Sequence, residues 1–257
     1  MSYYERITTR DSNPLKRRFQ SSRLRHGCRP LNALPRDYAG KMLDVGAASG
    51  SFTRRLAEQF PLAQIVCYEP VPTLRSEAEH LLRDCARVEL IGDLATLGSR
   101  RFDYVFCLEV FEHLPTRHAR RLIRTLGQLL DGQGQLVIGV PNELHVAALA
   151  KGLFRFSRRR GSFDATWTGI LSAIWGRPPV RRPRSQIWPG WPYYYHHLGF
   201  DYRRLRRVLG ETLNVRQEYG SPAPWLPSWL NSEVYFVCRA GERLERLSST
   251  SRARSAA

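Results

Sequence analysis

From residue 41 to about residue 140 the chain alternates short apolar runs with amphipathic stretches, and this alternation restricts the fold more than any other feature. The apolar runs fall at 42–45, 64–68, 88–91, 104–108 and 135–140. Helical patterns at 52–60, 73–82 and 116–130 lie between them; in the last, Leu122, Leu126, Leu129 and Leu130 share a face. Strand, helix, strand in regular succession is the signature of βαβ units around a parallel sheet. Asp131-Gly132-Gln133-Gly134 is expected to stop the third helix and turn into the next strand. A further helix at 201–209 and strands near 215–219 and 234–239 complete the pattern. A chain of 257 residues with 42% hydrophobic content suffices for one large α/β domain.

The flanks read differently. Residues 1–38 are basic and punctuated by Pro14, Pro30 and Pro35, an N-terminal extension; 39–241 form the domain; 242–257 are a polar Ser/Arg tail expected to fray. Within the domain, 142–192 breaks the alternation and reads as an inserted lid rich in Arg, Trp, Pro and Gly. No stretch has the roughly 18 uncharged apolar residues of a membrane-spanning helix, and the N-terminus has no apolar signal core. A cytoplasmic location is expected. Cys28, Cys67, Cys85, Cys107 and Cys238 form no CxxC pair, and their odd number argues against a disulfide framework. Cys67, Cys107 and Cys238 sit in strand-like runs, as small core residues do. The seven histidines show neither HExxH nor finger spacing, so no metal site is expected. The net charge of +17 is almost all arginine, with lysine only at positions 16, 41 and 151. It is read as a basic functional face or as a compositional bias toward arginine.

The chemistry concentrates at one turn. In Met42-Leu43-Asp44-Val45-Gly46-Ala47-Ala48-Ser49-Gly50-Ser51-Phe52 a buried strand ends in small residues that open into a helix. Small residues let the backbone approach a ligand, and a helix N-terminus supplies free N–H donors. Alone, the segment also fits a ligand-free strand–helix turn. Carboxylates at the ends of the next three strands add to it: Glu69, Asp93 and Glu109. Ligands of open α/β sheets bind at these strand ends, and an acid about 20 residues after the turn suits ribose hydroxyls.

Taken together, Asp44-Val45-Gly46-Ala47-Ala48-Ser49-Gly50, Glu69 and Glu109-Val110-Phe111-Glu112-His113 resemble the class I S-adenosylmethionine-dependent methyltransferases. Ala48 departs from the family's usual glycine. The resemblance covers about residues 40–240 and implies a Rossmann-like, doubly wound seven-stranded sheet, mostly parallel with an antiparallel last strand. It implies S-adenosylmethionine as cofactor, with Asp44, Gly46, Ala47, Ala48, Ser49 and Gly50 around its methionine part. It places Glu69 on the ribose, Asp93 and Leu94 at the adenine, and Glu109 beside the sulfonium.

His113 is the first candidate base, with His196 and His197 as rivals; for each, helix-entry packing is the structural alternative. All six tryptophans lie between 167 and 229. Between Arg155 and Arg184 eight arginines, including the Arg158–Arg160 run, face a single acid, Asp164. Arginine forks grip anions and aromatics stack on sugars or lipid boundaries. The expected acceptor is a small molecule or a saccharide or glycolipid, anionic in character, methylated on oxygen. Peripheral membrane contact at the inner face is a further reading, suggested by Leu149, Leu153, Phe154 and Phe156 beside Lys151 and Arg155. The alternatives are an RNA methyltransferase, disfavoured because no RNA-binding module is recognisable, and a catalytically silent S-adenosylmethionine-binding scaffold.

Overall fold

The computed structural model describes residues 22–158, 162–188 and 191–241. The expected tail at 242–257, and Arg159 and Arg160 of the arginine run, lie outside them. In chain order come β1 (Lys41–Val45), α1 (Ser51–Gln59), β2 (Gln64–Tyr68), α2 (Pro72–Leu82), β3 (Val88–Ile91) and β4 (Phe102–Leu108). They are followed by α3 (Thr116–Leu129), β5 (Leu130–Pro141), α4 (His145–Arg158), α5 (Trp167–Ile174), β6 (Ser185–Trp188) and β7 (Trp191–Tyr193). The chain closes with α6 (Tyr202–Gly210), β8 (Leu213–Ser221) and β9 (Glu233–Ala240).

Among the described residues, seven strands form one sheet in the order β3-β2-β1-β4-β5-β9-β8, and β6 and β7 form a separate hairpin. Strands β1 to β5 pair in parallel, and β9 runs antiparallel to both β5 and β8. This is the expected Rossmann-like sheet. Side chains alternate between its faces with the period of two that a strand imposes. Leu43, Val45, Val105, Cys107, Leu136 and Ile138 face the core shared with α3 and α6. Met42, Phe106 and Val137 face the opposite core, beneath α1. Helices on both faces leave the carboxyl ends of the strands open, and the order reverses between β1 and β4.

Three sequence expectations change in detail. Residues 131–134 do not form a helix-to-strand turn. Between paired positions β4 advances two residues (Phe102 to Tyr104) while β5 advances five (Leu130 to Gln135), so three are looped out in a bulge. A side chain at Gly134 would meet the Phe102 carbonyl at 2.6 Å. The 142–192 stretch is also more regular than its composition suggests, since α4 and α5 run through it. Residues 22–38 lie on the sheet rather than apart from it. Cys28 and Leu31 are buried with Phe52 and Leu56, and the Tyr219 and Tyr235 hydroxyls donate to the carbonyls of His26 (2.8 Å) and Arg23 (3.0 Å). The five cysteines are free, with Cys67, Cys107 and Cys238 in the core as expected.

Candidate active site

The turn after β1 is held by the neighbouring strand. Gly46 and Ala47 both donate their N–H to the Tyr68 carbonyl, at 2.9 and 3.1 Å. Gly46 has φ +73°, and a Cβ there would strike Val110 Cγ2 at 2.5 Å. Ala48 also adopts a left-handed conformation, φ +49°, which is sterically costly for a residue with a Cβ. The Ala48 N–H donates to Glu69 Oε2 at 2.8 Å, and the Val71 N–H donates to Glu69 Oε1 at 2.9 Å. Glu69 is 4% exposed, and burial raises its pKa against the pull of these bonds. Asp44 lies below the turn and accepts the Thr53 hydroxyl at 2.6 Å. Burial pushes its carboxyl up to about 7, opposed by that bond.

At the end of β4, Glu109 has φ +56° and its N–H donates to the Gly139 carbonyl. Arg23 reaches in from the N-terminal segment, 3.2 Å from Glu109 and 2.6 Å from Glu233. Burial raises the Glu109 pKa well above the usual range; Arg23 opposes this, and Glu233 and Glu112 add to it. Burial would raise Glu233 too, but Arg23 and Lys151 bring it below its ordinary value.

A short turn, Phe111–His113, then sets His113 in place. Its Nδ1 lies 2.7 Å from the Tyr194 carbonyl, which can only accept, so Nδ1 carries the proton and Nε2 the lone pair. The ring stacks on Tyr193 at 4.4 Å and 9°, and His197 packs against it edge-on at 4.9 Å. Burial lowers the His113 pKa to about 4, so the imidazole is neutral near pH 7. Behind it, Glu112 Oε1 lies 3.8 Å from Nε2; the carboxyl is wholly buried, with no hydrogen-bond partner at either oxygen among the described residues. Burial pushes Glu112 up to about 8. One donor atom each from Glu112, His113 and His197 lie within 4.8 Å of one another, a donor set for a cation that the sequence reading did not anticipate.

A cavity of ≈ 420 Å³ connects the turn to this histidine cluster. Of the residues singled out in the sequence, Asp44, Gly46, Ala47, Ala48, Ser49, Glu69, Glu109, His113 and His197 line it. Gly50, Asp93, Leu94 and His196 do not line it. Gly50 caps α1 at φ +79° and packs beneath Leu82. Asp93 accepts the Ala95 N–H at 2.9 Å and caps a short turn, while Leu94 packs on the core. His196 turns toward the lid, its Nδ1 3.3 Å from Asp164. Arg23, Tyr193 and Tyr235 line the cavity and were not anticipated. Tyr193 lies just before His196 and His197 in the sequence, whereas nothing local marks Arg23 among the basic residues around it.

The fold is shared with solved methyltransferases at low sequence identity. A methyltransferase from Clostridium acetobutylicum matches with a TM-score of 0.57 at 12% identity, covering 93% of this chain and 96% of that one. The N-methyltransferase NodS of Bradyrhizobium japonicum, in complex with S-adenosyl-L-homocysteine, matches at 0.54 and 17%, covering 90% of both chains. Among curated proteins, a trans-aconitate 2-methyltransferase of Methylobacterium radiotolerans is 30% identical over 136 residues, 52% of this chain and 51% of the relative. A ubiquinone biosynthesis O-methyltransferase of Xanthomonas oryzae pv. oryzae is 30% identical over 141 residues, 52% of each. The aligned region spans about half the length of these curated relatives. A family model described as a methyltransferase domain matches residues 17–197, more than half of the chain, and the protein belongs to that methyltransferase-domain family.

Proposed function

We propose that the protein transfers a methyl group from S-adenosylmethionine to a hydroxyl of a small-molecule, saccharide or glycolipid acceptor, with His113 as general base. The observation that carries this reading is the fixed tautomer of His113: Nδ1 is committed to the Tyr194 carbonyl, so the lone pair of Nε2 is the site free to take a proton. The donor half of the cavity fits the cofactor. The left-handed turn at Gly46 and Ala48 leaves backbone exposed to a ligand, and Glu69 retains lone pairs for two ribose hydroxyls beyond its bonds to Ala48 and Val71. Asp44 and Glu109 supply further acceptors for the cofactor's cationic groups. When bound, the cofactor supplies a methyl group already activated by its sulfonium. The chain's own residues then align the acceptor, exclude water and remove its proton.

The acceptor's position is assigned to the other half of the cavity, where Tyr193, Leu114 and His197 form a partly aromatic wall suited to a ring. The relative named for trans-aconitate supports a small-molecule acceptor, and the one named as an O-methyltransferase of ubiquinone biosynthesis supports methylation on oxygen. A screen of S-adenosylhomocysteine release over sugar phosphates, glycolipids, phenols and tRNA tests the proposal. Turnover with a hydroxyl-bearing small molecule is expected. Turnover confined to tRNA, or cofactor binding with no turnover on any class, overturns it.

A further inference from the structure

Helix α4 buries Ala147 and Ala148 against its neighbours, and its inward side also carries charge. Lys151 lies 3.3 Å from Glu143 and 3.8 Å from Glu233, and Arg155 forks onto the Glu143 carboxylate at 2.7 and 2.9 Å, with Asp164 3.6 Å away. Glu143 is wholly buried; burial would raise its pKa, but Lys151 and Arg155 hold it well below the usual carboxylate range. The outward side is apolar. Val146, Leu149 and Leu153 follow i, i+3, i+7 spacing, and with Phe154 they are 43–53% exposed. A helix on a water-facing surface has the opposite polarity.

The neighbouring elements extend this face. Helix α5 presents Trp167, Leu171 and Trp175 outward at i, i+4, i+8, and the Trp167 ring meets Phe156 of α4 at 4.5 Å. On the other flank the turn Ser228–Leu230 is tied to the start of α4. The Asn142 side-chain amide donates to the Ser228 and Asn231 carbonyls, and the Trp229 ring lies 6.4 Å from His145. Trp225 and Trp175 are each 80% exposed. Among the described residues of the 142–192 stretch, exposed charge has one sign. The acids of the 142–192 stretch, Glu143 and Asp164, are buried and paired inward, while Arg177, Arg181 and Arg184 are exposed.

Two properties identify the occupant: the exposed Leu and Trp side chains favour an apolar partner, and the exposed arginines, with no exposed acid among the described residues of 142–192, favour an anionic one. Nucleic acid would leave the apolar residues uncovered. A second copy would bring together two faces of like charge on chains of net charge +17 each. An anionic bilayer supplies both at once, acyl chains for the apolar stripe and lipid phosphates for the arginines, with tryptophan at the boundary. We infer that the face formed by α4, α5 and the 225–230 loop docks on the surface of an anionic lipid bilayer. This is independent of which acceptor is methylated.

Sedimentation of the full chain with vesicles tests it. Partition onto vesicles of phosphatidylcholine with about one-third phosphatidylglycerol is expected to exceed that onto pure phosphatidylcholine by about tenfold, and to fall as salt rises. The variant L149Q/L153Q/F154Q should bind about tenfold more weakly at an unchanged melting temperature, since the replaced side chains are exposed. R177Q/R181Q/R184Q should lose only the preference for the anionic vesicles. Brominated acyl chains should quench the tryptophan emission of the unmodified protein, a readout that needs no variant. Absence of partition onto anionic vesicles, absence of quenching, or equal partition by the folded apolar variant overturns the inference. A concentration-dependent dimer abolished by L149Q/L153Q/F154Q would also overturn it, by assigning the face to a second copy.

Discussion

His113 donates its Nδ1 proton to the carbonyl of Tyr194, 2.7 Å away and 81 residues further along the chain. One bond thereby decides which ring nitrogen is basic, and couples the loop after β4 to the segment that follows β7. If Nε2 takes the acceptor's proton, His113→Ala should lower kcat by about two orders of magnitude while cofactor affinity survives. Equal turnover by the variant would return His113 to a packing role.

The same residue makes a pH prediction. Burial lowers the His113 pKa from 6.5 to about 4, so between these values the unfolded chain binds a proton that the folded protein does not. Stability should therefore rise with pH across that window, by up to the order of 2–3 kcal/mol from this group, and be lost as pH falls through it. The acid limb of kcat should lie near pH 4 rather than 6.5, because the base stays neutral that far down. Denaturant melts of the wild type and of His113→Gln at pH 4.5 and 7 check the first part: the variant should show the smaller pH dependence. An acid limb at 6.5 would contradict the second.

Glu69 has two tasks that can be separated. Its carboxylate accepts the N–H groups of Ala48 and Val71 and so holds the turn, and its remaining lone pairs face the cavity. Glu69→Ala should weaken cofactor binding by roughly 1.5–3 kcal/mol and also destabilise the fold by roughly 1 kcal/mol, because two partly buried donors lose their acceptor. Glu69→Gln, which keeps one acceptor oxygen, should recover much of the stability and less of the affinity. Calorimetry showing unchanged affinity in a folded Glu69→Ala protein would remove this residue from the site.

What could be read in advance follows the range of the interactions. Strands β1 to β5 and Glu69 are legible because apolar periodicity and a strand-end carboxylate are local signals. Asp93 shows the limit of that reasoning: it also ends a strand, yet its carboxylate bends back onto Ala95 as a cap. His196 and His197 are neighbours with one sequence context, but one faces Asp164 and the other the cavity. Arg23 pairs with Glu233 across 210 residues, and no pattern within the basic N-terminal segment carries that distance.

Ala48 is the one departure from the glycine-rich turn, and its φ of +49° makes it costly. Ala48→Gly removes a Cβ from the left-handed region but adds freedom to the unfolded chain, so the net gain should be about 0.5–1 kcal/mol. For a chain of this size that corresponds to a melting temperature about 1–4 °C higher. The N–H that reaches Glu69 is kept, so cofactor affinity should not fall. A lower melting temperature would show that the backbone here is not strained.

Arg23 pairs with two carboxyl groups that also interact with each other, 3.2 Å from Glu109 and 2.6 Å from Glu233. Arg23→Met should cost about 2–3 kcal/mol near pH 8, somewhat less than breaking a fully buried pair, since the guanidinium is about 30% exposed. The sign of the pH dependence follows from the two acids. Glu233 is held below its ordinary value, so its contribution is present above about 4.5 and lost as pH falls through the depressed value. Without Arg23, both carboxylates can be neutralised by protonation, so acid should narrow the gap between variant and wild type. Urea melts near pH 5 and pH 8 measure this gap, and adding Glu233→Gln to Arg23→Met should restore more than half of the loss at pH 8. A loss equal at both pH values, unrelieved by the second substitution, would mean that Arg23 acts through packing of the N-terminal segment and not through its charge.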